Sequence, residues 1–302
     1  MAGYFLLLLL QDLKGEVDAR VKPSNSKVRN NTKVLGRRYM TSFRDGLLTG
    51  KTAFIAGGTS GINLGIARRF AELGARVAVC GRDPDKARRA AETISHDAIG
   101  LSADVRDYGA IRGAMEHVVD RFGPMDIVVS GAAGNFLAPV LGMSANAFRT
   151  VIDIDLNGTF NVFRGCHDLL NKPGASLIAI TAGQAVNAMA MQAHACAAKA
   201  GINQLVRVLA LEWGPDVRVT GISPGPIAGT EGMARLAPDA TTRQKHYDRI
   251  ALKRWGEIEE IAEAAVFLCS PAAAYITGTI IDVDGGSSVG DASRMDTGKG
   301  LT

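Results

Sequence analysis

The chain has 302 residues, 47% of them hydrophobic, 21% charged and 6% aromatic. A disordered chain is poorer in apolar residues than this, so the composition is that of a globular protein able to bury one large core. The net charge of +4 is concentrated at the start: residues 1–39 hold eight Lys/Arg against three acids, leaving the remainder at −1. A near-neutral body excludes nucleic-acid binding, which requires basic residues clustered on the folded domain.

Residues 1–39 read as a disordered extension or a short interaction arm. Residues 4–10 form an apolar run too short to span a bilayer, and acids follow it with no small-residue cleavage site, so neither a membrane span nor a secretory signal is expected. Residues 11–39 are polar, mixed in charge and aperiodic, and Met40 is a candidate start. From residue 50 onward, short apolar runs alternate with amphipathic stretches. Strands are predicted over 52–56, 76–80, 99–103, 126–130, 176–180, 218–222 and 279–283, and Ile62, Ile66, Phe70 and Leu73 mark the first helix. Parallel neighbours need long crossovers, so this alternation predicts an α/β fold: a doubly wound parallel sheet of about seven strands, Rossmann-type, in a single domain over residues 40–286. Residues 287–302, rich in Gly, Ser and charge, read as a polar tail without a Ser-Lys-Leu-type address. Cys80, Cys166, Cys196 and Cys269 are far apart and form no Cys-x-x-Cys pair. No metal site or disulfide framework is suggested, and a reducing, cytoplasmic location is expected.

The first predicted strand runs into Gly57-Gly58-Thr59-Ser60-Gly61-Ile62-Asn63-Leu64-Gly65 and then the first helix. Glycines there let the backbone turn tightly against a pyrophosphate, whose charge is stabilised by free N–H groups and the helix dipole. Gly57, Thr59, Ser60, Gly61 and Ile62 are therefore candidate dinucleotide contacts. The second strand ends Cys80-Gly81-Arg82, with no carboxylate at its tip to hold a ribose 2′-hydroxyl. Arg82 can pair with a 2′-phosphate instead, which points to NADPH. Asp104, with Val105 beside it after the third strand, can accept from an adenine amino group or cap a turn or helix.

Further motifs carry a resemblance: Ala132-Ala133-Gly134 after the fourth strand, Asn157-Gly158-Thr159-Phe160, Lys199, Pro224-Gly225-Pro226-Ile227 and Val283-Asp284-Gly285-Gly286. Over about residues 46–286 the chain resembles the short-chain dehydrogenase/reductase family. That family's turn usually reads Thr-Gly-x-x-x-Gly-x-Gly; here Ala56 and Asn63 replace the first and last residues, and Asn tolerates left-handed backbone. The family's Tyr four residues before the Lys is Ala195, and its Ser is Ala182, so ordinary ketone or alcohol chemistry is not expected. Gln192 and Gln184 stand where other acyl-thioester reductases of the family carry a functional Tyr.

The run His194 to Ala200, Glu212-Trp213-Gly214-Pro215, and Asp153-Ile154-Asp155 resemble the 2,4-dienoyl-CoA reductase branch, the peroxisomal type above all. The resemblance implies NADPH-dependent reduction of 2,4-dienoyl-CoA thioesters to 3-enoyl-CoA, with an acyl-CoA substrate. It implies that Lys199 bonds the nicotinamide ribose and, with Asp155, orients a proton-donating water. Asp155 can instead satisfy backbone groups between helix and sheet. Asn135 is a candidate donor to the thioester oxygen or a plain turn residue, with Phe136 beside it on the substrate side. His194 reads as a contact to acyl chain or CoA pyrophosphate, or equally as a packed helix residue. Ala132, Pro224, Gly225, Ile227 and Thr230 are implied cofactor contacts. Residues 231–249 have the character of a substrate lid or a surface helix pair. Reduction of another activated alkene or acyl thioester, and a non-catalytic NADP(H)-binding protein, remain alternatives. A homotetramer through the helices over 148–163 and 196–213 is the family expectation.

Overall fold

A computed structural model of the chain describes residues 43–237 and 239–294. The extension, Met40 and the tail beyond residue 294 lie outside the described residues. All seven predicted strands form: β1 Thr52–Ala56, β2 Arg76–Gly81, β3 Ile99–Ser102, β4 Ile127–Ser130, β5 Ala175–Ile180, β6 Val217–Pro224 and β7 Ile280–Val283. They make one parallel sheet in the order β3-β2-β1-β4-β5-β6-β7. The helices are α1 Gly61–Glu72, α2 Pro84–Glu92, α3 Tyr108–Phe122, α4 Ala145–Ile152, α5 Gly158–Cys166, α6 Ala193–Trp213, α7 Glu231–Leu236, α8 Ala240–Arg249 and α9 Ile258–Cys269.

Strand alternation sorts the core into two layers. Phe54, Val128, Leu177 and Val219 face Ile111, Met115, Phe163 and Ile202 of α3, α5 and α6. Ile55, Val77, Val129, Ile178 and Ile222 face Ile66 and Phe70 of α1 and Ile261 and Val266 of α9. Every residue of β1, β4 and β5 is buried, as a sheet covered on both faces requires. Fully burying side chains such as Phe54, Ile55 and Phe163 stabilises the fold by roughly 1.5–3 kcal/mol each.

Several strand ends differ by one or two residues from the sequence reading. β4 is bounded by Ile127, and just before it Asp126 ties β1, β4 and β5 together: its N–H donates to Thr52 O and its carbonyl accepts from Ser176 N–H, both at 2.9 Å, while its buried carboxylate accepts from Lys51 Nζ at 2.8 Å and Thr52 N–H at 2.9 Å. β6 runs on to Pro224, paired with Val283 of β7, which carries the Pro224-Gly225 step to the sheet's carboxyl edge. Strand order reverses between β1 and β4. Each side connects away from that line, leaving a crevice at the carboxyl ends where ligands of such sheets bind.

Candidate active site

The loops leaving the carboxyl ends of β1 to β6 enclose a cleft of about 680 Å³. Fifteen of the residues singled out from sequence line it: Gly57, Thr59, Ser60, Gly61, Ile62, Arg82, Asp104, Val105, Ala132, Asn135, Asp155, Lys199, Pro224, Gly225 and Thr230. Phe136, His194 and Ile227 do not.

At one end, β1 feeds a turn that only glycine permits. Gly57 has φ +75°, and a Cβ there would lie 2.6 Å from the Ala132 backbone nitrogen. Ser60 is the N-cap of α1 yet makes no side-chain cap, so the first-turn amides and the positive end of the helix face the cleft. A cradle closed by backbone and open to an anion fits a dinucleotide pyrophosphate. Asn63 does not adopt the left-handed backbone that its family position suggests; it sits inside α1. Its Nδ2 donates to Gly57 O at 3.3 Å and Gly131 O at 2.8 Å, tying the first turn to the segment after β4. A Cβ on Gly131 would fall 2.4 Å from that amide.

The tip of β2 is basic. Arg82 is exposed on the cleft wall, its carbonyl accepting from Ser102 Oγ at 3.0 Å. Lys86 of α2 also lines the cleft and donates to Ser60 Oγ at 3.4 Å. The acid next in sequence, Asp83, is occupied as the N-cap of α2, accepting from Lys86 N–H at 2.9 Å. Asp104 takes the turn role: it accepts from Arg106 N–H at 3.0 Å and from the Arg106 guanidinium at 2.6 Å, which holds its carboxyl below the usual range. The N-cap of α3 is Asp107 instead. Cys80 lines the cleft as an inert filler, its thiol pushed up to about 12 by burial.

Deeper in, α4 passes into α5 through a π-helical turn, Asp153–Asn157, a distortion common at functional sites. The turn aims the buried Asp155 carboxylate inward. Oδ1 accepts from Gly134 N–H at 2.7 Å, and Oδ2 lies 3.2 Å from Lys199 Nζ. Thr159 Oγ1 donates to Asp155 O at 2.7 Å and accepts from Ser130 at 3.1 Å, bracing the turn against β4. Lys199 reaches across from α6 and also donates to Ile180 O at 3.2 Å. Both readings of Asp155 therefore meet in one group, which holds backbone and faces Lys199. Ala182 and Ala195 line the same stretch and offer no exchangeable proton.

The outer wall is built of amides and apolar side chains. Asn135 Nδ2 donates to Gln192 Oε1 at 2.7 Å, and Gln184 Nε2 donates to the same oxygen at 3.3 Å. Ala138 N–H donates to Met191 O at 3.0 Å, joining the two loops that carry these groups. Phe136, Leu137, Met189 and Met191 stand exposed at this lip. His194 lies beneath, fully buried, its ring edge-on to Phe136 with centroids 4.3 Å apart. Its Nδ1 accepts from Ala195 N–H at 2.8 Å. Ile227 is buried against Gly256 and lines a second cavity of about 410 Å³; its carbonyl accepts from Thr230 Oγ1 at 2.8 Å. Of the stretch read as a lid or helix pair, Glu231–Leu236 form α7 and Ala240–Arg249 form α8, with Met233 buried against Trp255, Ala237 and Ile250. Residues just past 286 are held to the body: Ser288 N–H donates to Asp284 at 2.7 Å and Lys253 Nζ to Ala292 O at 2.9 Å.

Asn63, Lys86, Gln184 and Gln192 escaped the sequence reading as participants. Only Lys86 carries a local signal, one helical turn beyond Arg82. The other three depend on partners brought close by the fold.

Comparison with known proteins agrees with this geometry. A family profile described as Enoyl-(Acyl carrier protein) reductase matches residues 56–288. The chain is 39% identical over 267 residues to the peroxisomal 2,4-dienoyl-CoA reductase ((3E)-enoyl-CoA-producing) of Saccharomyces cerevisiae, covering 85% of this chain and 91% of that protein. It is 40% identical to the enzyme of the same description from Arabidopsis thaliana, covering 81% and 86%. A short chain dehydrogenase from Bacillus anthracis, solved by crystallography, superposes with a TM-score of 0.74 at 36% identity, over 80% of this chain and 97% of that one.

Proposed function

The chain is an oxidoreductase of the short-chain dehydrogenase/reductase family, whose cofactor is a nicotinamide dinucleotide, and we propose that it reduces 2,4-dienoyl-CoA thioesters to 3-enoyl-CoA with NADPH. One observation carries the reading: Asp155 and Lys199 pair at 3.2 Å in the cleft while both positions that would hold a proton-exchanging hydroxyl are alanine. The relatives named above as dienoyl-CoA reductases support it.

NADPH is favoured over NADH because Arg82 and Lys86 stand at the tip of β2 and Asp83 is turned into its helix cap. Gly57, Thr59, Ser60, Gly61 and Ile62 would hold the pyrophosphate end, with Asp104, Val105 and Ala132 along the wall. Lys199, Pro224, Gly225, Thr230 and the backbone at Ile227 would serve the nicotinamide end. When bound, the reduced nicotinamide supplies a hydride to the far end of the diene. The protein must then stabilise negative charge on the thioester oxygen and deliver a proton to the α carbon. Asn135 is assigned the first role. Asp155 and Lys199 perform the second by gripping a water that gives up the proton. Protonation at the α carbon leaves the remaining double bond between carbons 3 and 4, the 3-enoyl product. The exposed apolar lip of Phe136, Met189 and Met191 receives the acyl chain, with His194 supporting Phe136 from below.

A homotetramer is part of this reading; Phe148, Phe160, Val208 and Leu211 on α4, α5 and α6 are exposed and apolar, as buried interface residues would be in a single chain. Light scattering decides it. The cysteines of the described residues are free, and among those residues no helix is long and apolar enough to cross a membrane. A cytoplasmic location is the reading from sequence, whereas the curated relatives are named peroxisomal. Imaging of a tagged full chain separates the two. The decisive assay is NADPH oxidation with 2,4-hexadienoyl-CoA, with the product identified by mass spectrometry and NMR. No turnover with tight NADPH binding would overturn the enzymatic reading.

A further inference from the structure

From sequence alone the thioester oxygen has one candidate donor, Asn135. The structure holds a larger assembly. Gln192 occupies the N-cap of the 21-residue α6 but makes no side-chain cap. Its Oε1 instead accepts from Asn135 Nδ2 at 2.7 Å and Gln184 Nε2 at 3.3 Å. Asn135 and Gln184 come from the loops after β4 and β5 and both line the cleft, whereas Gln192 is only 9% exposed and lies behind them. A primary amide is planar with two N–H bonds, so fixing one on Gln192 fixes the direction of the other. Gln192 cannot reverse its amide without setting N–H against N–H, and its own Nε2 rests 3.8 Å from Met189 Sδ. Met191, immediately before it, is held at φ +65°, a left-handed backbone that non-glycine residues rarely adopt and that structures retain where a neighbour must be aimed.

We propose that Asn135 and Gln184 form a two-donor oxyanion hole for the thioester carbonyl, and that Gln192 is the positioning residue that aims both. The inference rests on the dienoyl-CoA reading above. It also gives Gln184 a role. With Ala182 and Ala195 unable to donate from their side chains, charge developing on the oxygen is met by two neutral amides whose N–H directions are fixed before it forms.

The test uses the full-length protein with Gln192→Met, an apolar near-isostere, and Gln184→Met. Turnover is measured with 2,4-hexadienoyl-CoA and NADPH. The carbonyl stretch of the same thioester is read by infrared difference spectroscopy in the complex with NADP⁺, where no reduction occurs. Removing one oxyanion donor typically costs about 10²–10³ in kcat; Gln184→Met is expected near the lower figure and Gln192→Met somewhat below it, with KM for NADPH unchanged within about twofold. The carbonyl band, shifted to lower frequency in the wild-type complex, should return toward its aqueous position in both variants. Wild-type kcat with the band still at its wild-type frequency in Gln192→Met would overturn the proposal, as would a variant that merely melts earlier with its band in the wild-type place. If the wild-type protein fails to turn over the dienoyl thioester, the underlying reading falls separately. The band of the bound thioester then still decides the amide assembly: a shift abolished by Gln192→Met supports it, and no shift in the wild type overturns it.

Discussion

The two walls of the cleft are made of different materials. The dinucleotide wall is mostly backbone: the Gly57 turn, the uncapped first turn of α1, the ends of β2 and β3, and the Pro224-Gly225 step. The opposite wall, proposed to take the acyl group, is mostly side chain: Asn135 and Gln184 donating to one oxygen of Gln192, with Phe136, Met189 and Met191 exposed nearby. Backbone geometry tolerates little variation because a glycine at φ +75° has few substitutes. Side-chain amides can be exchanged for other donors on an unchanged scaffold. One fold can thus keep its cofactor while its substrate chemistry changes.

Mutations at the junction of the two walls should be the most damaging. Lys199→Ala is expected to lower kcat by about 10²–10⁴, the range of a lost proton-transfer group, and to weaken NADPH binding as well. Asp155→Asn should lower kcat by about 10²-fold with NADPH affinity nearly intact. Equal effects of both variants on cofactor affinity, measured by NADPH fluorescence titration, would erase the division between walls. On the dinucleotide wall, Arg82→Ala should reduce the preference for NADPH over NADH by about 10–100-fold, the value of a charge-assisted hydrogen bond; ratios of kcat/KM for the two cofactors check this. Gly57→Ala should cost about 1–3 kcal/mol in backbone strain before any effect of its contact with Ala132, read as a lower melting temperature together with weaker NADPH binding.

Smaller effects test the braces. Asn63→Leu removes two hydrogen bonds, to Gly57 O and Gly131 O, worth about 1 kcal/mol each; denaturant titration with and without NADPH should show the loss more strongly in the bound protein. Far from either wall, Arg112 holds the Asp168 carboxyl down to about 2 from its ordinary 3.8. A carboxyl lowered in the folded state stabilises it above pH 3.8, and that contribution fades as the pH falls toward 2. The side chain is 61% exposed, so the effect is small and weakened by salt. Asp168→Asn should lower the neutral plateau of the melting-temperature profile slightly and flatten its acid limb, the two proteins converging below about pH 2, and leave catalysis unchanged.

The dinucleotide wall was the legible one. A glycine turn, Arg82 and seven apolar runs are local signals, and Thr52–Ala56 formed over the residues expected. Asp155 and Lys199 stand out only through the resemblance; their 3.2 Å approach depends on a π-helical turn that no periodicity announces. The rest lay hidden in tertiary contacts. Asn63 looked like a backbone substitute for glycine and proved to be a side-chain tie between two loops. Gln184 and Gln192 read in sequence only as replaced tyrosines, because nothing there shows that Gln192 shares a hydrogen bond with Asn135, 57 positions earlier, and accepts from Gln184 with the same oxygen. Ile227, read in sequence with Pro224 and Gly225, is bridged to Gly256 and lines the second cavity, a pairing with a residue 29 positions later that no local pattern shows.

The reversal of strand order between β1 and β4 also bears on endurance. The crevice takes its floor from both halves of the sheet, so any molecule lying along it rivets one half to the other. Loosening either half forces that molecule out, and melting behaviour becomes a gauge of occupancy: a dinucleotide at a hundredfold excess over its dissociation constant adds about 2.7 kcal/mol. A cell short of the whole dinucleotide pool would then hold a less durable protein as well as an idle one.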